Sequence, residues 1–118
     1  MVFNGLAVLY LLGVVVQFFL AGLGVFGTAS YDYHQAVGFI LGVVSLALVV
    51  LAIGAKLPRP LTGLAFLLFI LNAIQIVLIQ IDIGEIKALH VVNALAIALV
   101  ANMLMHRSRR YLASKLAT

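Results

Sequence analysis

The stretch that decides the fold is QAVGFILGVVSLALVVLAIGA, residues 35–55, in which no side chain is charged. A helix needs roughly 20 predominantly apolar residues to cross the hydrocarbon core of a bilayer. Three further uncharged stretches of similar length occupy residues 5–26, 61–81 and 88–105. The chain is therefore predicted to be a single transmembrane domain, residues 1–118, with four membrane-spanning helices.

The composition of the 118 residues supports this prediction. Hydrophobic residues make up 66% and charged residues 8%, against about 45–50% and about 25% in soluble domains. Cysteine is absent, which excludes disulfides, iron–sulfur clusters, thiolate zinc sites and thioether-linked haem. The first stretch has no basic segment before it and is too long for a signal peptide, so we interpret it as the first span.

The connections predict an antiparallel, up-down four-helix bundle. The loops at 27–34 and 82–87 and the turn at 56–60 are all short, which makes successive helices neighbours. Pro58 and Pro60 end the second span and begin the third. Such turns leave no soluble domain, so we expect any site to lie in the bundle or at its outer end.

The charges predict the orientation. Lys56 and Arg59 lie in the inner turn, and the tail 106–118 holds four more basic residues. By the positive-inside rule this side is cytoplasmic, so we expect both termini inside a bacterial cytoplasmic membrane. We expect the tail to anchor on anionic lipid of the bilayer. No nucleic-acid partner is expected, because the basic patch is short and lacks interleaved aromatic residues.

Two histidines are the most informative polar residues. His34 and His90 stand at the outer ends of the second and fourth spans, which run in the same direction. Two imidazoles at similar depth on two helices can ligate a haem iron from both sides. The alternative is that both side chains form hydrogen bonds near headgroup level. The third histidine, His106, lies among arginines and is expected at the inner interface.

Small residues follow each histidine at positions +4, +8 and +11, which lie on the same helix face. These stripes could admit a flat macrocycle, or they could be small-xxx-small motifs that pack helices together. The candidate groove residues are Gly38, Gly42 and Ser45 after His34, and Ala94, Ala98 and Ala101 after His90.

A weak repeat relates the two halves of the chain. Gln17-x-x-Leu precedes His34, and Gln75-x-x-Leu precedes His90 at a similar spacing. The pattern is consistent with parallel two-helix repeats about an axis along the membrane normal. Both glutamines are candidates for lining a pocket, although an interhelical hydrogen bond is the commoner role for such residues.

The chain resembles an uncharacterised family of small four-span bacterial membrane proteins. The resemblance rests on VQFFLAGLGVFG (16–27), the H-x-x-x-G-x-x-x-G pattern from His34, the basic proline turn and ALHVVNALAI (88–97). That family implies no function.

The same features look, more distantly, like one four-helix half of haem A synthase. There, paired histidines at helix ends hold a b-type haem, so the resemblance implies non-covalent haem b on His34 and His90. Span one lacks the glutamate that the catalytic half of haem A synthase uses, so haem carriage or electron transfer is favoured over oxidative chemistry.

Tyr31, Asp32 and Tyr33 are candidates for the mouth of the site, with Asp32 or Asp82 accepting a hydrogen bond from an imidazole N–H. A solvated loop and an aromatic belt are the commoner roles for such residues.

Three classes of function remain open. The first is a small b-type cytochrome that exchanges electrons with a quinone or an external redox partner. The second is a non-catalytic structural or accessory subunit of a larger membrane complex, or a homodimer. The third is a transporter subunit, which is the weakest, because no charged residue lies within the four predicted spans.

Overall fold

The computed structural model describes residues 1–117 and contains four α-helices and no strand in that range. The helices are α1 (Val2–Val25), α2 (Asp32–Gly54), α3 (Arg59–Gln80) and α4 (Gly84–Leu116). Each is long and apolar enough to cross a membrane. The prediction of an all-α, four-span membrane protein is confirmed.

Turn chemistry explains where the helices end. Gly27 takes a positive φ of 69°, and the amide N–H of Thr28 returns to the Leu23 carbonyl at 2.9 Å, which closes α1. Lys56 takes the same left-handed conformation after α2. Pro58 then precedes α3, which has Pro60 in its first turn.

The four helices form a ring in which each packs against its sequence neighbours and α1 also packs against α4. Helices α2 and α4 therefore lie diagonally across the bundle, as do α1 and α3. The side-chain amide of Asn72 on α3 donates across one diagonal to the Tyr10 hydroxyl on α1. Both residues are buried, so this contact ties the middle of the bundle together.

The close-packed core occupies only the part of the bundle nearest the two chain termini. We call that end of the bundle the inner end, and the opposite end, which holds His34 and His90, the outer end. The outermost members of the core are Val14, Leu41, Asn72 and Ile97. Beyond them, no residue at 15–40 or 73–96 is buried. The outer end of the bundle, where the two histidines lie, is therefore much more loosely packed than the inner end.

Helix α4 continues through most of the segment that the sequence analysis treated as a basic tail. It runs without interruption to Leu116. Near this inner end the Asn4 side chain donates to the Ser108 hydroxyl at 2.8 Å, which joins α1 to α4. The basic residues 106–116 are thus displayed on a helix that is fixed to the bundle.

Candidate functional site at the outer end of the bundle

The structure brings His34 and His90 together across the second diagonal. His34 lies in the first turn of α2, and His90 lies in the second turn of α4. Their ring centroids are 6.2 Å apart, and the ring planes are inclined by 59°. Two helices that are not neighbours in the ring therefore present an imidazole pair at one depth.

Both imidazoles are oriented by the same backbone contact. Nδ1 of His34 lies 3.2 Å from the carbonyl oxygen of Gln17, and Nδ1 of His90 lies 3.2 Å from that of Gln75. A carbonyl oxygen only accepts hydrogen bonds, so Nδ1 carries the proton in each ring. The lone pair is then on Nε2, as in metal-ligating histidines that donate Nδ1–H to a backbone carbonyl.

These two contacts show what the glutamine of each Gln-x-x-Leu repeat does in the structure. In each half of the chain, the backbone of the glutamine in an odd-numbered helix orients the histidine of the following helix. The equality of the two distances is what a parallel two-helix repeat predicts.

The glutamine side chains differ between the halves. Asn93 donates to Gln75 Oε1 at 2.7 Å and to the Leu71 carbonyl at 2.8 Å. The corresponding position after His34 is Val37, which has no donor. Gln17 Oε1 is accordingly buried and without a hydrogen-bond partner among residues 1–117.

The Gln17 side chain covers the first residue of the predicted groove. A Cβ at Gly38 would lie 2.8 Å from Gln17 Nε2, so only glycine allows this approach. One turn further, a Cβ at Gly42 would lie 3.8 Å from the Ile76 side chain, an ordinary contact distance. In this conformation the stripe on α2 is thus filled by neighbouring side chains.

The other stripe residues lie at different depths. Ser45 and Ala101 are buried in the close-packed core, and the Ser45 hydroxyl donates to the Gly42 carbonyl at 2.7 Å. Ala94 and Ala98 are half-buried on α4. In each stripe, the residues nearest the histidine therefore lie in the loosely packed end, and the residues farthest from it lie in the core.

The carboxylates do not contact the imidazoles as the sequence analysis expected. Asp32 accepts a hydrogen bond from the Ser30 hydroxyl, and Asp82 forms an ion pair with Lys87 at 2.7 Å. The hydrogen bond and the charge of Lys87 lower the pKa of the Asp82 carboxyl. Backbone carbonyls take the predicted role instead, because they already lie beside the rings within the bundle.

One contributor, Asn93, was missed as a site residue. Asn93 stands three positions after His90, on the same helix face, and this spacing was the available signal. Tyr31 packs edge-on against His34, with ring centroids 6.4 Å apart. It rests on Gly24, where a Cβ would overlap the tyrosine ring. Tyr31 is the N-cap residue of α2, and its place beside His34 is consistent with its predicted position at the mouth of the site.

The pair provides too few ligands for a bare metal ion. No group of three or more His, Cys, Asp or Glu side chains that could hold a metal occurs within residues 1–117. Zinc sites use three or four protein ligands. A haem iron already has four ring nitrogens, so it needs only the two axial ligands that an imidazole pair can supply.

Residues 17–81 match a protein family that is described as a family of unknown function, DUF6220. The match includes Gln17, His34 and Gln75 and ends before His90. No curated protein matches the chain, and no solved structure does. The comparisons do not show the expected resemblance to haem A synthase. Because the match spans more than half of the sequence, the chain belongs to the family of unknown function DUF6220.

Proposed function

We propose that this protein is a small integral-membrane b-type cytochrome. His34 and His90 would hold one non-covalent haem b through the Nε2 atom of each ring, and the haem would supply one-electron redox chemistry. With both termini cytoplasmic, as the basic residues favour, the haem lies in the outer half of the membrane.

The observation that carries the proposal is the separation of the two rings. A metal–imidazole bond is about 2.0–2.1 Å long, so one iron atom held by both rings would require the two imidazoles to lie close together. The centroids of His34 and His90 are 6.2 Å apart. Each Nδ1 is already engaged by a carbonyl, so Nε2 is the nitrogen left for iron.

Binding of a macrocycle requires the outer end of the bundle to open, and the Gln17 side chain is one group that must move. The Gln17 side chain must leave Gly38, which it covers. Its Oε1 atom has no hydrogen-bond partner among the described residues, so this movement breaks no bond at that atom. No residue at 15–40 or 73–96 is buried, so a haem there would displace half-buried side chains and not the close-packed core.

Two filled axial positions favour electron transfer or haem carriage over oxygen binding. A quinone or an external redox partner would exchange electrons at the outer end. Relay across the whole bilayer is not part of the proposal, because His106 is the remaining histidine and has no partner histidine.

Optical spectroscopy of the protein, purified after expression with haem supplied, tests the proposal. We expect a sharp reduced α-band and about one haem per chain. His34→Ala and His90→Ala should each abolish the six-coordinate spectrum. His106→Ala is the matched control, because it removes the remaining histidine at the opposite end and should leave the spectrum unchanged.

The proposal fails if the protein is colourless and also does not bind added haem. It also fails if the spectrum survives in both His34→Ala and His90→Ala. Circular dichroism of each variant separates loss of haem from loss of the fold, since the four helices dominate that signal.

The second candidate function is a structural one. The protein would then be an accessory subunit of a larger membrane complex, or it would form a homodimer. A shallow groove on the side of the bundle, between α2 and α3, favours this function. The groove is mostly apolar and includes the polar side chain of Asn72; its other lining residues include Phe39, Val43, Phe69 and Ile76. A haem-free protein that co-purifies with a stoichiometric partner, or that crosslinks as a dimer through this groove, would favour the second candidate.

A further inference from the structure

The inner end of α4 carries a second cluster of polar groups that the haem proposal does not use. A surface depression there is lined by Asn102, Met103, His106, Arg107 and Arg110. Their spacings of three and four residues place these side chains on one face of the helix. Arg107 and Arg110 form no hydrogen bond or ion pair with another residue in the range 1–117.

The depth of this cluster is fixed by contacts within the bundle. Ser108 accepts a hydrogen bond from Asn4, in the first turn of α1, so residues 106–110 lie where the bundle ends. Asn102 and Met103 lie about one turn deeper, towards the apolar part of the helix. The face therefore has an apolar and amide part below and two guanidinium groups above.

The electrostatics of the face are uniformly positive. All three acidic residues lie at the opposite end of the bundle, and no Asp or Glu follows Glu85 in the sequence. Glu85 and Arg107 are separated along α4 by about 33 Å, several Debye lengths at physiological salt. The negative end of the helix dipole lies more than two turns beyond Arg107, so it weakens anion binding little.

We propose that this face is a binding site for the headgroup of an anionic phospholipid. The phosphate lies between Arg107 and Arg110, which suit phosphate because guanidinium N–H groups can bind its oxygens in pairs. His106 is the third polar neighbour, and Met103 contacts the glycerol and upper acyl region. The site is independent of His34 and His90.

Native mass spectrometry of the detergent-purified protein with phosphatidylglycerol or phosphatidylcholine tests the site. We expect phosphatidylglycerol to be retained preferentially. Arg107→Gln should reduce its binding about tenfold, and Arg107→Gln with Arg110→Gln about a hundredfold, because each arginine loses its charge-assisted hydrogen bonds to the phosphate. The matched control is Arg59→Gln with Arg109→Gln, which removes the same charge from other positions; it loses only diffuse attraction and should reduce binding severalfold less than the Arg107 and Arg110 double variant.

Equal losses in the two double variants would overturn the proposal, because the attraction would then be diffuse. Equal retention of phosphatidylcholine and phosphatidylglycerol would overturn it as well. Displacement of the lipid by millimolar inorganic phosphate would show a soluble-phosphate site instead. Loss of phosphatidylglycerol in the Arg107 and Arg110 variants alone, with an unchanged helical circular dichroism signal, would support it.

Discussion

Asn93 on α4 donates its side-chain amide to Gln75 Oε1 on α3 at 2.7 Å, directly beside the carbonyl that orients His90. The first half of the chain repeats the histidine–carbonyl contact but not this amide bond, because Val37 stands where Asn93 would. Gln17 Oε1 is consequently buried without a donor among residues 1–117. The two halves of the site thus share the same histidine–carbonyl contact. They differ in whether the glutamine side-chain oxygen accepts a hydrogen bond.

This difference predicts that two similar substitutions lower the stability of the bundle by unequal amounts. In the haem-free protein, Asn93→Leu should destabilise the bundle by about 1 kcal/mol, because Gln75 Oε1 loses its donor. Gln17→Leu removes an amide oxygen that has no such donor, so it should cost markedly less. Unfolding in mixed micelles of mild detergent and SDS measures both. Equal destabilisation by the two variants would contradict the asymmetry.

The same comparison predicts a stabilising substitution. Val37→Asn places an amide in the register that Asn93 occupies, where it can donate to Gln17 Oε1. We expect a gain of about 0.6 kcal/mol, the average for an interhelical hydrogen bond in a membrane protein. The gain should vanish when Gln17 is also replaced by Leu. A gain that persists in the Gln17→Leu background would mean that Val37→Asn acts through another contact.

The buried bond between Tyr10 and Asn72 predicts strong coupling across the α1–α3 diagonal. Tyr10 is 1% exposed and Asn72 is 6% exposed, so either single change leaves a polar group buried without its partner. Tyr10→Phe and Asn72→Leu should each cost about 1–2 kcal/mol, and the double variant should cost clearly less than their sum. A double-mutant cycle measures this, and strictly additive losses would argue against a direct bond.

The ion pair in the outer loop predicts little dependence on pH. The Lys87 contact lowers the pKa of Asp82, so its contribution is present above the unfolded-state pKa and is lost as pH falls through the lowered folded-state pKa. However, the Asp82 side chain is 97% exposed and that of Lys87 is 42% exposed, so water screens the pair. Asp82→Asn should therefore leave the thermal midpoint at neutral pH unchanged, like the control Glu85→Gln. A drop confined to Asp82→Asn would show that the pair holds the loop.

The sequence alone was sufficient for the fold class. Hydropathy along each stretch depends only on local composition, and a span of this length in a bilayer must be helical to satisfy its backbone. The inner turn could also be predicted from the local sequence, because Pro58 and Pro60 restrict the backbone only at and next to their own positions. The spacing of Gln17 to His34 and of Gln75 to His90 also predicted two equivalent halves.

Only the tertiary structure decided what the polar residues contact. The 6.2 Å between His34 and His90 depends on how α2 and α4 are rotated across the diagonal, and the packing of all four helices sets that rotation. The preference for backbone carbonyls over Asp32 and Asp82 has the same origin, because helix packing places the carbonyls of α1 and α3 beside the rings. A sequence pattern specifies which face a residue occupies on its own helix. It does not specify the partner across the interface, since that partner depends on packing summed over the whole bundle.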